Sequence, residues 1–256
     1  MTRALPWAYL AAAFAFIYLP VGALVLFSFT ASSLPVPPFE GPSLRWYADV
    51  LHDRDLVEAL VNSLLVAMGS AALAVGLGFG AAYGLARHAL PGTALLRALL
   101  VAPLTVSTLL VGLGLLIVLQ TLGLGLSLGT ALIGHVVINL PLAFAILYAA
   151  MGAQQQSAEA AARDLGASEA QVVVLVTVPM LAPAIAAAFF LSVTLSWDEF
   201  IIAFLLTRFD VTLPVEIWSM LRSGLSPRLN AIGSVVFLAS VVAVLLLELL
   251  ALRRRA

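Results

Sequence analysis

Six apolar runs, each long enough to cross a hydrocarbon layer, leave this chain almost no choice of solvent. A hydrocarbon core of roughly 30 Å needs about 20 apolar residues per helical crossing. Residues 7–29, 60–86, 95–119, 130–150, 182–206 and 231–252 all reach that length. In lipid every backbone N–H and C=O must find a partner inside the protein, so helices and closed barrels are the available solutions. Barrel strands are short and alternate in polarity, whereas these runs are solid apolar blocks. The fold class is therefore an all-α membrane protein with six transmembrane helices in a single domain, 1–256. Composition agrees, with 63% hydrophobic and 10% charged residues and a mean hydropathy of +1.13, well outside the soluble range. The first run is longer than a signal-peptide core and has no small-residue cleavage pattern, so it reads as a retained helix. Without cysteine there is no disulfide framework or thiolate metal site. No metal site and no nucleic-acid partner are expected.

Orientation follows from the basic residues, all of them arginine. Six crossings put both termini on one side, together with Arg3, Arg87, Arg97, Arg163 and Arg253–Arg255. The opposite side holds Arg45, Arg54, Arg208, Arg222 and Arg228, in loops that also carry the acids Glu40, Asp49, Asp53, Asp55 and Glu58. Positive charge in short flanks favours the cytoplasm, which assigns both termini and the 151–181 loop to that side. Residues 31–40 read as an extended Pro/Ser-rich external loop. Arg45-Trp46-Tyr47 then starts a short interfacial helix, since aromatic rings favour that depth. No internal repeat is visible, unlike transporters built from inverted halves.

The 151–181 loop carries helix signals of its own. Ser157 is placed to cap a first short helix, with Glu159 in its first turn. Glu159 also stands four residues before Arg163, the favourable order for a helical ion pair. Gly166 stops that helix, and Ser168 with Gln171 forms a capping box that starts a second one. Pro179 and Pro183 then limit or kink the second helix. A helix–turn–helix held at the membrane surface is suited to contact by a cytoplasmic protein.

Other matches read as structure rather than chemistry. Gly125-Leu126-Ser127-Leu128-Gly129 fits G-x-S-x-G, but it lies in a Gly-rich hairpin, and a serine nucleophile needs a strained strand-to-helix elbow with a placed base. An intramembrane hydrolase would have to rest on Ser127 and His135. His135, alone in an apolar run, reads as a packed histidine. Gly76, Gly80 and Gly84 form a small-residue stripe expected to let helices approach closely. The chain has no lysine, so it holds no Walker A loop, and any ATP-driven work needs a second protein. Asp198 and Glu199 lie within the fifth run, where ionisable groups usually face a cavity or a partner. At about 100° per residue, Ser192, Ser196 and Glu199 share one face and Thr194 and Asp198 another. At least one acid is expected to line a path for a cation while the other bonds a neighbour; the alternative is that both are structural.

The loop resembles the cytoplasmic signature of permease subunits of bacterial binding-protein-dependent ABC importers, written E-A-A-x3-G-x9-I-x-L-P. Ala161, Ala162 and Gly166 match, followed nine residues later by Val176, Thr177, Val178 and Pro179. The departure is the glutamate: Ala160 stands at its place and Glu159 one residue early. Within that superfamily the chain is most similar to the spermidine/putrescine type, through Arg45-Trp46-Tyr47, Asn62-Ser63-Leu64, the run 191–199 and the stretch from Leu213-Pro214 through Ser226-Pro227. The resemblance implies a type I importer permease fold whose cytoplasmic coupling helix docks on an ATPase through Glu159, Ala161, Ala162, Arg163, Asp164, Gly166 and Ala167. It further implies a substrate pathway involving Trp46, Ser196, Trp197, Asp198 and Glu199. The implied partners are a second permease subunit in a heterodimer, two ATPase subunits carrying ATP and magnesium, and an extracytoplasmic binding protein at loops 31–59 and 207–230. This chain itself would bind no cofactor and catalyse no reaction. Related importers carry ferric iron, aminoalkylphosphonates or opines, and a secondary transporter or channel is the rival from another class.

Overall fold

A computed structural model describes residues 4–88 and 90–253, with side chains omitted for 4–5 and 243–253. Among these residues there are twelve α-helices: α1 (Ala4–Ser28), α2 (Arg45–His52), α3 (Arg54–Arg87), α4 (Thr93–Val101), α5 (Thr108–Thr121), α6 (Leu128–Ala150), α7 (Ala153–Asp164), α8 (Glu169–Val172), α9 (Val178–Asp198), α10 (Ile201–Leu206), α11 (Leu213–Ser223) and α12 (Pro227–Arg253). Four spans are long and apolar enough to cross a membrane as straight helices, and a fifth does so as a bent pair. The sixth run lies on α12, whose apolar stretch among the fully described residues is the shorter Pro227–Val242.

The chain divides into two compact units, Met1–Val57 with Ile217–Ala256, and Glu58–Glu216. In the first, α1 packs along α12, and Leu24 closes on the bare backbone of Gly233. The expected interfacial helix is α2. It is tied back by Tyr47, whose hydroxyl lies 2.6 Å from Ser28 Oγ, and by Trp46, whose indole N–H donates to the Thr30 carbonyl at 2.9 Å. Asp53 Oδ1 accepts from the Asp55 and Leu56 amides and so caps α3, while its other oxygen pairs with Arg228.

The second unit is built on close contact of α3, α6 and α9. Ala74, Val75, Ala82 and Leu85 of α3 meet Ala143, Phe144 and Leu147 of α6 and Ala188 of α9. The glycine that permits this approach is not on the expected stripe. Gly76, Gly80 and Gly84 face open space, whereas a Cβ on Gly78 would stand 3.0 Å from the Phe144 amide nitrogen and 3.2 Å from the Ala143 carbonyl carbon. Backbone cannot rotate out of the way as a side chain can. Gly78→Ala is therefore expected to destabilise the helix bundle by about 1–3 kcal/mol, read as a lowered thermal midpoint in detergent. Gly76→Ala and Gly80→Ala should leave the midpoint within the effect of about 1 kcal/mol.

Two of the sequence-derived spans differ in form. Run 95–119 is broken: α4, a 3-10 turn at Ala102–Thr105 and α5 meet at a bend of 106°. Pro103 brings no backbone donor, and Val106 and Ser107 take extended backbone, so the i→i+4 ladder stops there. Run 182–206 is broken at its other end, where Glu199 adopts extended backbone between α9 and α10. Its start also lies earlier than expected. The helix is continuous from Glu169 to Asp198 through a π-turn at Val173–Thr177. The Val178 N–H there reaches back to Val173, shifting the register just before Pro179. The helix then carries Pro183 within it, so the prolines do not end it. The 151–181 loop is thus α7 plus the first turns of a spanning helix.

Candidate functional site

The polar segment between α6 and α9 is pinned by local chemistry at each end. Gln155 Oε1 reaches back to the Gly152 N–H at 3.0 Å, capping α7. Ser157, expected to be the cap, lies inside α7 and donates to the Ala153 carbonyl. Gly166, at φ +87°, ends the helix. Its N–H donates to Arg163 O at 2.8 Å and the Ala167 N–H to Ala162 O at 3.0 Å, the two bonds of a Schellman motif. The Ser168–Gln171 capping box forms as expected: Gln171 Oε1 accepts from the Ser168 N–H at 2.8 Å, and Ser168 Oγ from the Gln171 N–H.

The charges on this segment pair differently from the helical spacing. Glu159 is fully buried, and its carboxylate is held side-on by Arg87 of α3, with Nε at 2.6 Å and Nη2 at 3.2 Å. Thr177 Oγ1 donates to the same carboxylate at 2.9 Å. Arg163 turns instead to Glu169, with Nε at 2.6 Å, and donates to Tyr83 Oη at 3.4 Å. The hydrogen bonds that Arg163 donates to the Glu169 carboxylate raise it above the ordinary arginine pKa. Glu159 meets α3 rather than Arg163 because the face of α7 bearing Gln155 and Glu159 is the buried one. Ala160, Ala161, Asp164, Leu165 and Gly166 are exposed, with Ala162, Arg163 and Ala167 half-buried. Leu165 is 89% exposed at the tip, a large apolar residue that the sequence reading passed over. Of the seven residues expected to dock on an ATPase, Glu159 alone is turned fully inward.

A second cluster lies where α6 faces α9. His135 Nδ1 sits 2.6 Å from Ser196 Oγ, which also accepts from Ser70 Oγ of α3 at 3.1 Å. His135 thus serves Ser196 and not Ser127. Ser127 caps α6 through Thr130, whose hydroxyl, like the Ser127 N–H, donates to the Leu206 carbonyl. The G-x-S-x-G match is a helix cap pinned by the end of α10. One turn along, the Asn139 amide and Ser192 Oγ are buried without a hydrogen-bond partner, as is His135 Nε2. In an apolar interior such groups are costly, and they mark places where water or a ligand can be taken up.

Beside this seam is a cleft of about 200 Å³, lined by Pro103, Val106, Thr108, Ile138, Asn139 and Glu199 among others. It exists because of the two breaks: the bend at Pro103–Ser107 forms one wall, and the step between α9 and α10 carries Glu199. One carboxylate oxygen of Glu199 accepts from the Ile201 and Ile202 amides at 2.9 and 3.1 Å, capping α10. Asp198 ends α9 and is exposed, as is Thr194, while Ser192 and Ser196 are buried. Trp197 is half-buried. Trp46 belongs to the first unit. Its ring face is covered by the Arg45 guanidinium at 4.2 Å.

Long apolar helices joined by a capped polar segment, with a largely apolar cleft carrying one carboxylate among them, define an integral membrane protein. The chain belongs to the family described as binding-protein-dependent transport system inner membrane component, which matches residues 59–256. It is 29% identical over 251 residues to the spermidine/putrescine transport system permease protein PotC of Escherichia coli K12, covering 97% of this chain and 94% of that one. To the putrescine transport system permease protein PotI of the same strain it is 32% identical over 231 residues, covering 87% and 82%. The crystal structure of a bacterial ABC transporter involved in the import of the acidic polysaccharide alginate shares the fold. Its TM-score is 0.71 at 16% identity, over 96% of this chain and 94% of the other. This chain is an ABC importer permease subunit, and its relatives are transport proteins rather than enzymes.

Proposed function

We propose that the chain forms one half of a polyamine import pathway, spanning the inner membrane six times with both termini in the cytoplasm. The observation that carries this reading is the similarity, over most of the chain, to permeases named for spermidine and putrescine, met by a carboxylate in an otherwise largely apolar cleft. A polyamine presents primary ammonium groups separated by methylenes. Glu199 offers charge to an ammonium, Thr108 and Asn139 offer neutral polar partners, and Pro103, Val106 and Ile138 suit the methylenes. Asp198, exposed at the end of α9, is available to a second permease subunit.

The driving force comes from outside the chain. An extracytoplasmic binding protein delivers substrate, and two ATPase subunits close on ATP with magnesium. The exposed edge Ala160, Ala161, Asp164, Leu165 and Gly166 is the docking surface. Closure favours one membrane state over the other through differential affinity, which is all that alternating access requires. The chain itself holds no cofactor. The test is uptake by proteoliposomes holding the chain with its partner permease and ATPases, supplied with binding protein and labelled spermidine or putrescine. ATP-dependent, vanadate-sensitive accumulation is the expected result. Uptake of ferric iron, an aminoalkylphosphonate or an opine in place of polyamine would overturn the substrate assignment. Uptake that survives ATP depletion would mark a secondary transporter or channel.

A further inference from the structure

We infer that Arg87 and Thr177 are positioning residues for coupling, clasping Glu159 so that movement of α7 is delivered directly to α3 as well as along the chain into α9. The inference rests on the reading of α7 as the segment an ATPase grips. Its own basis is the geometry of one fully buried carboxylate.

Glu159 sits on the inner face of α7, one turn after the buried Gln155, while Ala160, Ala161 and Asp164 face outward. Its two oxygens take three hydrogen bonds, from Arg87 Nε, Arg87 Nη2 and Thr177 Oγ1. The Arg87 side chain is 8% exposed. Planar guanidinium and planar carboxylate meeting side-on leave little freedom to pivot. An apolar pair would fill the same space, but it would permit sliding. Arg163 adds a second tether to α3 through Tyr83 Oη. Tyr83 and Arg87 are four residues apart and therefore on one face of α3.

Each end of the clasp sits on an element suited to carrying motion. On one side is α3, continuous from Arg54 to Arg87 and in backbone contact with α6 at Gly78. On the other is Thr177, the last residue of the π-turn, whose hydroxyl also lies 3.4 Å from the Val172 carbonyl. Without the clasp, α7 would be held to the bundle by its chain ends, at Gly152 and across the turn Leu165–Ser168, by packing on the π-turn and by the long Arg163–Tyr83 contact, none of which fixes its angle to α3. A load at the tip would then be absorbed by bending at those joints. With it, α7, the end of α3 and the start of the α9 span move as one body.

The chain has no cysteine, so labels can be placed singly. Spin labels at Ala153→Cys on α7 and Leu77→Cys on α3, both exposed, report the separation of the two helices in nanodiscs. Expected for the native clasp is one narrow distance distribution, with or without ATP. Glu159→Gln should at least double its width and lower substrate moved per ATP hydrolysed by about tenfold, a coupling loss within the usual range. Arg87→Lys, which keeps charge but not the fork, should fall between. If Glu159→Gln fails to assemble, Arg87→Lys alone decides. Ser157→Ala, on the exposed side of α7, should match the native chain. Native width together with native transport per ATP in the clasp variants would overturn the inference. Failure of the unaltered chain to retain any ATPase would defeat the reading of the loop instead, and the label distances would still judge the clasp.

Discussion

Uptake is expected to fall to background in Gly166→Pro, with the ATPase lost on purification and the membrane helices still folded. Gly166 holds φ +87°, a region closed to proline, whose ring fixes φ near −65°. Proline would also remove the N–H that Gly166 donates to Arg163 O. With the Schellman turn gone, the exposed edge at Leu165 and the capped start of α8 can no longer keep their relative placement. The cost at this position is about 3 kcal/mol or more, and it arises in the backbone rather than from a steric clash, since a Cβ at Gly166 would meet nothing within 4 Å. Gly166→Ala needs only the left-handed backbone, at about 1–2 kcal/mol, and should retain partial uptake. Copurification yield, uptake and the thermal midpoint together check the series. Native ATPase retention in Gly166→Pro would mean that docking does not use this edge.

Glu199→Gln is expected to raise the apparent KM for spermidine by about tenfold or more, and Asp198→Asn to change it by less than about threefold. An ammonium about 4 Å from a carboxylate gains roughly 4 kcal/mol at an effective dielectric of 20, and water in the cleft reduces that. Each 1.4 kcal/mol retained is about a factor of ten. Glutamine keeps a side-chain carbonyl able to accept from the Ile201 and Ile202 amides, so the charge is removed without the cap. Glu199→Leu removes both, and should add a stability loss of about 1 kcal/mol to the same transport defect. A stability loss in Glu199→Leu alone, with unaltered transport in Glu199→Gln, would make Glu199 purely a cap.

Features set by neighbours in the chain were legible in the sequence. The Ser168–Gln171 box needs only residues three apart, and Gly166 only its own backbone. The apolar runs announce helices because lipid permits little else. The alternation of Ser192 and Ser196 against Thr194 and Asp198 follows from helical period alone. Legibility failed where two local options compete. Glu159 has Arg163 four residues away, yet takes Arg87, 72 residues distant. Ser157 is a good cap residue by type, but Gly152 and Gln155 start the helix a turn earlier. His135 looked solitary because its partner Ser196 is 61 residues on. The bend at Pro103–Ser107 was written in a proline and a run of hydroxyl and β-branched residues, and was masked by the length of the apolar run around it.

What the sequence determined by itself was the solvent, the helical class and a stiff polar turn between two spans, since hydrophobic length and capping act over a few residues. Only the tertiary structure decided which glycine lets α3 touch α6, which arginine holds Glu159, and where a cleft opens. Each of those depends on the rotation of one helix against another, and that rotation is fixed by the summed packing of whole faces, which no short stretch of sequence contains.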